Sequence, residues 1–362
     1  MKVALLGAGG GGASALVELG LAGHQVNWWA RSEETLDPHK EIGGVDYEGV
    51  FGEGRMEAAL ITTALDEAIA HTEAAIVTLP TTAHAGVARA LVAAGWPADK
   101  PVILNPGHTG GALEFAEAWR RAGGTVPPIV EFSTLTYVAR KYAPGSVTTT
   151  GKAGQVRSAV LGGGDAELEL ASALFAAATP VADVLASDLC NVNMVLHAPG
   201  AVLGASWAEA TGGDFTFYVQ GLTDGVARVM EQLDRERLAV ARAFGHELPN
   251  LIGEMQRIGT VEADVTDLSD YRAAVSGGVA NAKIKAPDSL EHRYYREDFG
   301  HGLLPFIELA AIAGVEVPIA RSLYAIGAAA TGNDYRKTGR TAEAMGIAGM
   351  SKNQLIEKVR GQ

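Results

Sequence analysis

The sequence predicts a mixed α/β fold, in which a doubly wound parallel sheet is followed by an all-α domain. A glycine-rich turn at residues 7–12 separates a short apolar strand from a helix at the start of the chain. Short apolar strands then alternate with helices of ten or more residues, and from about Ala186 onward the apolar period of helices dominates. We therefore expect a Rossmann-type domain over residues 1–185 and a helical domain over residues 186–362.

The glycine turn predicts the phosphate-binding start of a dinucleotide site. We expect Gly7 to permit the tight turn, Gly9 to let the backbone approach a pyrophosphate, and Gly12 to let the helix pack closely on the strand. The helix N-terminus adds unpaired N–H groups and a positive dipole end. The predicted phosphate-binding residues are Gly7, Gly9, Gly10, Gly11 and Gly12.

The second predicted strand, residues 25–30, ends without an acidic residue. In NAD-selective domains an Asp or Glu there accepts hydrogen bonds from the adenosine ribose. Here Arg31 and Ser32 follow the strand, and a cation beside a hydroxyl suits a 2′-phosphate, which a carboxylate would repel. We therefore predict NADP(H) as the cofactor, with NAD(H) less favoured. The alternative interpretation of Arg31 is a solvated loop residue.

Further strands and a hairpin extend the predicted sheet. A glycine-rich, charged hairpin is expected at residues 47–56. The three later parallel strands are expected at 74–79, 102–105 and 128–132, and antiparallel extensions of the sheet at 137–140, 146–150 and 155–161. In the helical domain, residues 217–244 are predicted to form one long helix.

The ends of two of these strands predict the rest of the cofactor site. Ligands of doubly wound sheets bind beyond the carboxyl ends of the strands. We therefore expect Leu79 and Pro80, after one strand, and Asn105 and Gly107, after the next, to lie along the cofactor cleft.

Composition excludes several classes of function. The net charge of −13 argues against a nucleic-acid partner, which needs a basic surface. No apolar window is long enough for a membrane span, and the early glycines and Glu18 argue against a signal peptide. The single cysteine, Cys190, cannot form an internal disulfide, so a cytoplasmic protein is expected. No His, Cys, Asp or Glu cluster has metal-ligand spacing, so no metal is expected.

Four segments, spread over nearly the whole chain, resemble the opine dehydrogenase family in the family's own order. Segment 191–199, NVNMVLHAP, resembles the helix that bears the family's histidine, and segment 293–303, RYYREDFGHGL, resembles its acidic segment. Segment 105–115, NPGHTGGALEF, is similar to its glycine-rich loop, and segment 334–341, DYRKTGRT, to its C-terminal signature. The chain departs from NAD-using members of the family at Arg31. It matches the family weakly over 264–287, so the identity of the substrates stays open.

The resemblance implies a reductive condensation of an amine or amino acid with an α-keto acid, in which the intermediate imine is reduced. By this resemblance His197 is the acid/base and Asp298 its carboxylate partner. Arg293 is the candidate for holding a substrate carboxylate, with Asn193 and Arg140 as further substrate-binding candidates. From the two-domain architecture we also expect a homodimer.

Alternatives remain open at this stage. His197 could be a satisfied core histidine, Asp298 a helix cap, and Arg293 a surface ion-pair partner. A ketone or 2-keto acid reductase of the ketopantoate reductase type, which relies on a lysine in its helical domain, stays possible because of Lys283 and Lys285. A non-catalytic NADP-binding sensor is the alternative from another class.

Overall fold

The computed structural model describes residues 1–361, which form two compact units. The first comprises Met1–Gly107 and Gly111–Val184, with Gly361; the second comprises His108–Gly110 and Leu185–Arg360. An α/β unit followed along the chain by a helical one is the predicted fold class. The described strands are β1 (Lys2–Leu6), β2 (Gln25–Trp29), β3 (Gly44–Gly49), β4 (Gly54–Glu57), β5 (Leu60–Thr62), β6 (Ala74–Val77), β7 (Val102–Leu104), β8 (Ile129–Phe132), β9 (Tyr137–Arg140), β10 (Ser146–Lys152), β11 (Val156–Leu161) and β12 (Ala178–Pro180).

The main sheet of the first unit has the predicted doubly wound topology. Over the described residues its strand order is β12-β11-β8-β7-β6-β1-β2-β5. β1 pairs in parallel with β2 on one side and with β6 on the other, so the order reverses beside β1. β11 pairs antiparallel with β8 and extends the sheet, as predicted. The point of reversal, where such sheets bind ligands, is therefore the end of β1, where the glycine turn begins.

The helices of the first unit cover this sheet. The first, α1, begins at the glycine turn, and its residues from Gly12 to Leu19 are buried. The helices are α1 (Gly10–Leu21), α2 (Glu33–Ile42), α3 (Leu65–Ile69), α4 (His84–Ala93), α5 (Gly111–Arg121) and α6 (Asp165–Leu174), with a 3₁₀ turn at Thr81–Ala83.

A second sheet corrects one prediction. The predicted hairpin forms as β3 and β4, but β9 and β10 join it, in the order β4-β3-β10-β9, and do not extend the main sheet. Polar contacts fix this sheet on α1: the hydroxyl of Ser14 lies 2.7 Å from that of Thr149, and the hydroxyl of Tyr137 donates to Glu18 at 2.6 Å. The period-2 pattern predicted strands here correctly, but it does not specify which sheet a strand joins.

The second unit is helical and contains one irregular helix that matters for function. Residues Tyr294–Leu303 form a π-helix, a conformation often found at functional sites. The remaining helices are α7 (Val184–Leu189), α8 (Asn193–Leu203), α9 (Ala205–Thr211), α10 (Asp224–Ala243), α11 (Leu251–Ile258), α12 (Tyr271–Gly277), α13 (Leu304–Ala313), α14 (Pro318–Thr331), α15 (Tyr335–Thr338) and α16 (Lys352–Arg360).

The long helix predicted over 217–244 begins later, at Asp224. Residues before it form turns: the N–H of Phe217 donates to the carbonyl of Ile284. Phe217 and Tyr218 are buried and pack near the imidazole of His197. Their apolar spacing therefore reflects core packing and not helical periodicity. Over residues 1–361, every helix is too short or too polar to cross a bilayer.

Candidate active site

The glycine turn brings β1 and α1 into close contact. Gly7 has φ +126°, in the region that favours glycine, and its N–H donates to the carbonyl of Trp29 at 2.9 Å. A Cβ on Gly12 would lie 2.0 Å from the Gly7 carbonyl oxygen, whereas a Cβ on Gly9 would meet nothing within 4 Å. The turn is thus closed on its helix side and open at Gly9. This arrangement fits a dinucleotide phosphate.

The other predicted cofactor residues lie around this turn or at strand ends. Leu79 packs against Gly7, and Pro80 after it is exposed. The side-chain amide of Asn105 is buried and donates to the hydroxyl of Thr136 at 2.9 Å, so this amide is already used within the protein. The N–H of Gly107 likewise donates to a backbone carbonyl of β8.

Arg31 and Ser32 follow β2 and are both exposed. Ser32 is the residue before α2, and its side chain makes no capping hydrogen bond. Among the residues from 1 to 361, none forms a hydrogen bond or ion pair with the Arg31 guanidinium. The unpaired guanidinium of Arg31 therefore comes directly after β2, the strand whose backbone carbonyl accepts the N–H of Gly7.

In the helical unit, His197 and Asp298 form a buried pair. His197 is on α8 and Asp298 on the π-helix, and their exposed fractions are 6% and 5%. His197 Nδ1 lies 2.8 Å from Asp298 Oδ2. An ionised carboxylate only accepts hydrogen bonds, so Nδ1 carries the proton and Nε2 is left to exchange one.

Small residues allow the helices around this pair to approach. A Cβ on Gly302 would lie 3.0 Å from the Cβ of Met194, on α8. On another face of the π-helix, the ring of Phe299 lies 2.0 Å from where a Cβ on Gly327 would be. The π-helix is thus held against both α8 and α14, and the position of Asp298 follows from that packing.

Aromatic side chains surround the His197 ring. Tyr294 stacks on it, with 3.9 Å between ring centroids and 16° between planes. Tyr218 forms a hydrogen bond with Tyr294, and burial together with that neighbour raises the pKa of the Tyr218 phenol well above its usual value. The Cζ of Arg293 lies 5.8 Å from the Tyr294 ring centroid. Arg293 is exposed and forms no ion pair within the described chain, so its charge is available to a ligand.

The loop 108–110 is fixed beside α8. The carboxylate of Asp188 accepts the N–H of Gly110 at 2.6 Å, and the buried guanidinium of Arg340 donates to the carbonyl of Thr109 at 3.0 Å. The loop presents His108, whose Nε2 lies 3.4 Å from the side-chain amide of Asn193. Burial, reinforced by nearby positive charges, lowers the pKa of His108 to about 3. Its imidazole is therefore uncharged at neutral pH.

A second buried histidine, His301, lies on the π-helix one turn after Asp298. It is 4% exposed, and its Nδ1 has no hydrogen-bond partner among residues 1–361. Burial, with smaller contributions from Arg340 and His108, lowers the pKa of His301 to about 3. The imidazoles of His108 and His301 are thus both held neutral.

A buried ion pair anchors the start of α8. Arg237 Nε lies 2.7 Å from Asp234 Oδ1, and both side chains are 0% exposed. Arg237 also donates to the carbonyl of Leu189 at 2.7 Å, four residues before α8 begins. Asp234 in turn accepts from the hydroxyl of Tyr271. Because each charge is paired and hydrogen-bonded, the pair ties α10 to the segment that leads into the His197 helix.

The structure brings four of the five predicted catalytic and substrate-binding residues into the helical unit: His197, Asp298, Arg293 and Asn193. Arg140 lies in the first unit, is exposed, and donates to its neighbour's carbonyl. Sequence reasoning missed Tyr294 and His301; the adjacent Arg293 and the histidine of the acidic segment were the available signals. Lys285 forms an exposed ion pair with Asp214, and Lys283 is exposed. Within residues 1–361, no group of three His, Cys, Asp or Glu side chains could hold a metal.

Several known proteins are similar to this chain in sequence or in fold. Residues 180–331 match the family model described as NAD/NADP octopine/nopaline dehydrogenase, alpha-helical domain. An opine dehydrogenase from Arthrobacter sp. (strain 1C) is 31% identical over 351 residues, which is 96% of this chain and 96% of that one. A solved octopine dehydrogenase with NADH and L-arginine has a TM-score of 0.78 at 19% identity, covering 100% of this chain and 98% of that one. Yersinopine dehydrogenase with NADP⁺ bound has a TM-score of 0.76 at 17% identity, covering 99% and 97%. At these identities the two structures show a shared fold.

The neutral His301 predicts an acid-sensitive fold. Its pKa is about 3 when folded and 6.5 ordinarily, so between these values the unfolded chain binds a proton that the folded chain excludes. The free energy of unfolding therefore falls as pH drops below about 6.5, by about 2 kcal/mol from pH 7 to pH 5. Urea unfolding of the His301→Gln variant should show a pH dependence smaller by that amount. The exposed His71→Gln variant is the control. An unchanged pH dependence in His301→Gln would contradict the assignment.

Proposed function

The chain belongs to the octopine/nopaline dehydrogenase family of NAD(P)-dependent dehydrogenases that act on CH–NH groups, and we propose that it reduces the imine of an amine or amino acid and an α-keto acid with NADPH. The observation that carries this proposal is the buried His197–Asp298 pair, with 2.8 Å between Nδ1 and the carboxylate. The pair leaves one imidazole nitrogen, Nε2, to accept and return a proton. An imine-forming reduction requires that function.

His197 serves both proton transfers of the condensation. Neutral Nε2 takes a proton from the substrate ammonium, and the resulting amine attacks the ketone carbon to form a carbinolamine. The imidazolium then returns the proton to the carbinolamine hydroxyl, water leaves, and the C=N bond forms. The bound nicotinamide supplies the hydride that reduces this carbon to the secondary amine. The proton on His197 is thus borrowed and returned, and no net charge is left on the protein.

Asp298 and Tyr294 hold the imidazole for this exchange. The carboxylate fixes the Nδ1–H tautomer and stabilises the imidazolium. The stacked Tyr294 ring restricts rotation of the imidazole and shields one face from water. Arg293, whose Cζ lies 5.8 Å from the Tyr294 ring centroid, binds a substrate carboxylate through its fork of N–H donors. The side-chain amide of Asn193 contacts His108 and so orients the loop 108–110.

The choice of NADPH rests on the residues after β2. Arg31 is exposed and unpaired at the end of the strand that supports Gly7, and Ser32 follows it. A guanidinium binds phosphate oxygens in bidentate fashion, and no carboxylate stands at the strand tip to accept the ribose hydroxyls.

An amine-dependence assay tests the proposed reaction. NADPH oxidation with an α-keto acid should require an amino acid or amine from a panel. His197→Ala and Asp298→Asn should each lower kcat by about a hundredfold or more, because proton transfer contributes that much. Glu297→Gln, which changes the carboxylate next to Asp298, should stay within about fivefold. Turnover with the ketone alone would show a simple ketone reductase, and tight NADPH binding without turnover would show a sensor.

The cofactor preference has its own test in Arg31→Ala. Loss of a charge-assisted phosphate contact should raise KM for NADPH about tenfold or more and change KM for NADH less than about twofold. Steady-state kinetics with both cofactors measures the difference. Equal effects on the two cofactors would contradict a role at the 2′-phosphate.

Carboxylate binding by Arg293 is tested against Arg296, a second arginine in the same segment of the chain. Arg293→Gln should raise KM for the keto acid or amino acid about tenfold or more, because a charged hydrogen bond is lost. Arg296→Gln, three residues on, removes an arginine that is already paired with Glu291 and should leave KM nearly unchanged. Equal effects in the two variants would reject the assignment.

A further inference from the structure

The segment from Leu135 to Lys141 runs along one side of the glycine turn. A Cβ on Gly11 would lie 3.1 Å from the Leu135 side chain, and one on Gly10 would lie 3.4 Å from the Ala139 carbonyl. Lys141 Nζ lies 3.2 Å from the carbonyl oxygen of Ala8. The segment thus follows the turn from the start of α1 back toward the end of β1.

The ammonium of Lys141 is held in place by a buried histidine. Its Nζ lies 3.0 Å from His39 Nε2, and His39 is 0% exposed. His39 Nδ1 lies 2.9 Å from the carbonyl oxygen of Gly44. A carbonyl only accepts, so Nδ1 carries the proton and Nε2 accepts from the lysine. Burial, followed by the Lys141 charge, lowers the pKa of His39, which keeps this acceptor neutral.

The Lys141–His39 pair is also linked to Gly7, the first glycine of the turn. The Trp28 ring centroid lies 4.5 Å from that of His39, and Trp28 Nε1 donates to the Gly7 carbonyl at 2.8 Å. His39 is on α2, the helix that begins directly after Arg31 and Ser32. Lys141 is therefore on the β2–α2 side of the turn. In this fold that side receives the adenosine ribose, while the pyrophosphate lies at the start of α1.

Lys141 lacks an anionic partner. Over residues 1–361 its hydrogen bonds go to Ala8 and His39 alone, and no carboxylate lies within ion-pair distance. An ammonium has three donors, so one remains for a ligand. A positioned, uncompensated cation beside the glycine turn is arranged to bind an anion.

We propose that Lys141 is a second cationic ligand of the 2′-phosphate of NADPH, acting together with Arg31. This inference rests on the proposed use of NADPH. The 2′-phosphate carries two negative charges at neutral pH, so one arginine leaves half of its charge unpaired. Lys141 supplies the second charge from a segment about 110 residues later in the chain, already immobilised by His39.

Binding of two ligands that differ only in the 2′-phosphate tests the inference without any turnover. Isothermal titration of the full chain with 2′-phospho-ADP-ribose and with ADP-ribose should show Lys141→Gln weakening the former about tenfold or more and the latter less than twofold. Lys141→Arg should restore most of the loss. The control is Lys152→Gln, because Lys152 pairs with Glu18, about 12 Å along α1 from the helix start.

Each of the other possible outcomes contradicts this inference, and one of them also contradicts the proposed use of NADPH. Equal weakening of both ligands in Lys141→Gln would overturn the inference, since it means a pyrophosphate contact or a damaged turn; the thermal melting temperature separates these two. Unchanged affinities would overturn it as well. If wild type prefers the 2′-phosphate and Lys141→Gln keeps that preference, only this inference fails. If wild type shows no preference, the proposed use of NADPH fails with it.

Discussion

The packing of α8 on the π-helix is the constraint on which the candidate catalytic pair, His197 and Asp298, depends. Gly302 lets the two helices approach at Met194, and that approach sets the 2.8 Å contact between His197 and Asp298. Both side chains are almost fully buried, where an unpaired carboxylate costs several kcal/mol. The pair therefore stabilises the packing that creates it, and the same packing stacks Tyr294 on the imidazole. The geometry and burial of the pair, on which the proposed proton exchange rests, are consequences of one helix–helix contact.

The electrostatics around that contact keep two neighbouring imidazoles, those of His108 and His301, uncharged. His108 and His301 lie near the pair, yet burial lowers the pKa of each to about 3. Both remain neutral in the range where a reductase works, so neither competes with His197 for a proton. Arg340 contributes to this by lowering both values and by holding the loop that carries His108. His108 and His301 thus add no positive charge beside the His197–Asp298 pair.

In the first unit, the second sheet leads to a cation beside the glycine turn, Lys141, that the main sheet does not supply. A doubly wound sheet supplies the strand, the turn and the helix N-terminus, which suffice for a pyrophosphate. The β9–β10 sheet packs on α1 through Tyr137 and leads directly into Lys141 beside the turn. The proposed selectivity for NADPH then draws on two distant parts of the chain, the end of β2 and the end of β9. The physical reason is that a 2′-phosphate is a dianion and is bound best by more than one cation.

The sequence by itself predicted most of the helices and strands and the candidate site residues His197 and Asp298, because these predictions follow from local periodicity and from motifs. The glycine turn, the hairpin and the His197 and Asp298 segments could all be read without coordinates. It could not determine strand partners, the start of α10, or the neighbours of a buried ring, because these depend on contacts between residues far apart in the chain. Only the tertiary structure moved β9 and β10 to a second sheet, stacked Tyr294 on His197 and placed Lys141 at Ala8. Apolar spacing indicates that a residue is buried, and only the fold decides which residues it packs against.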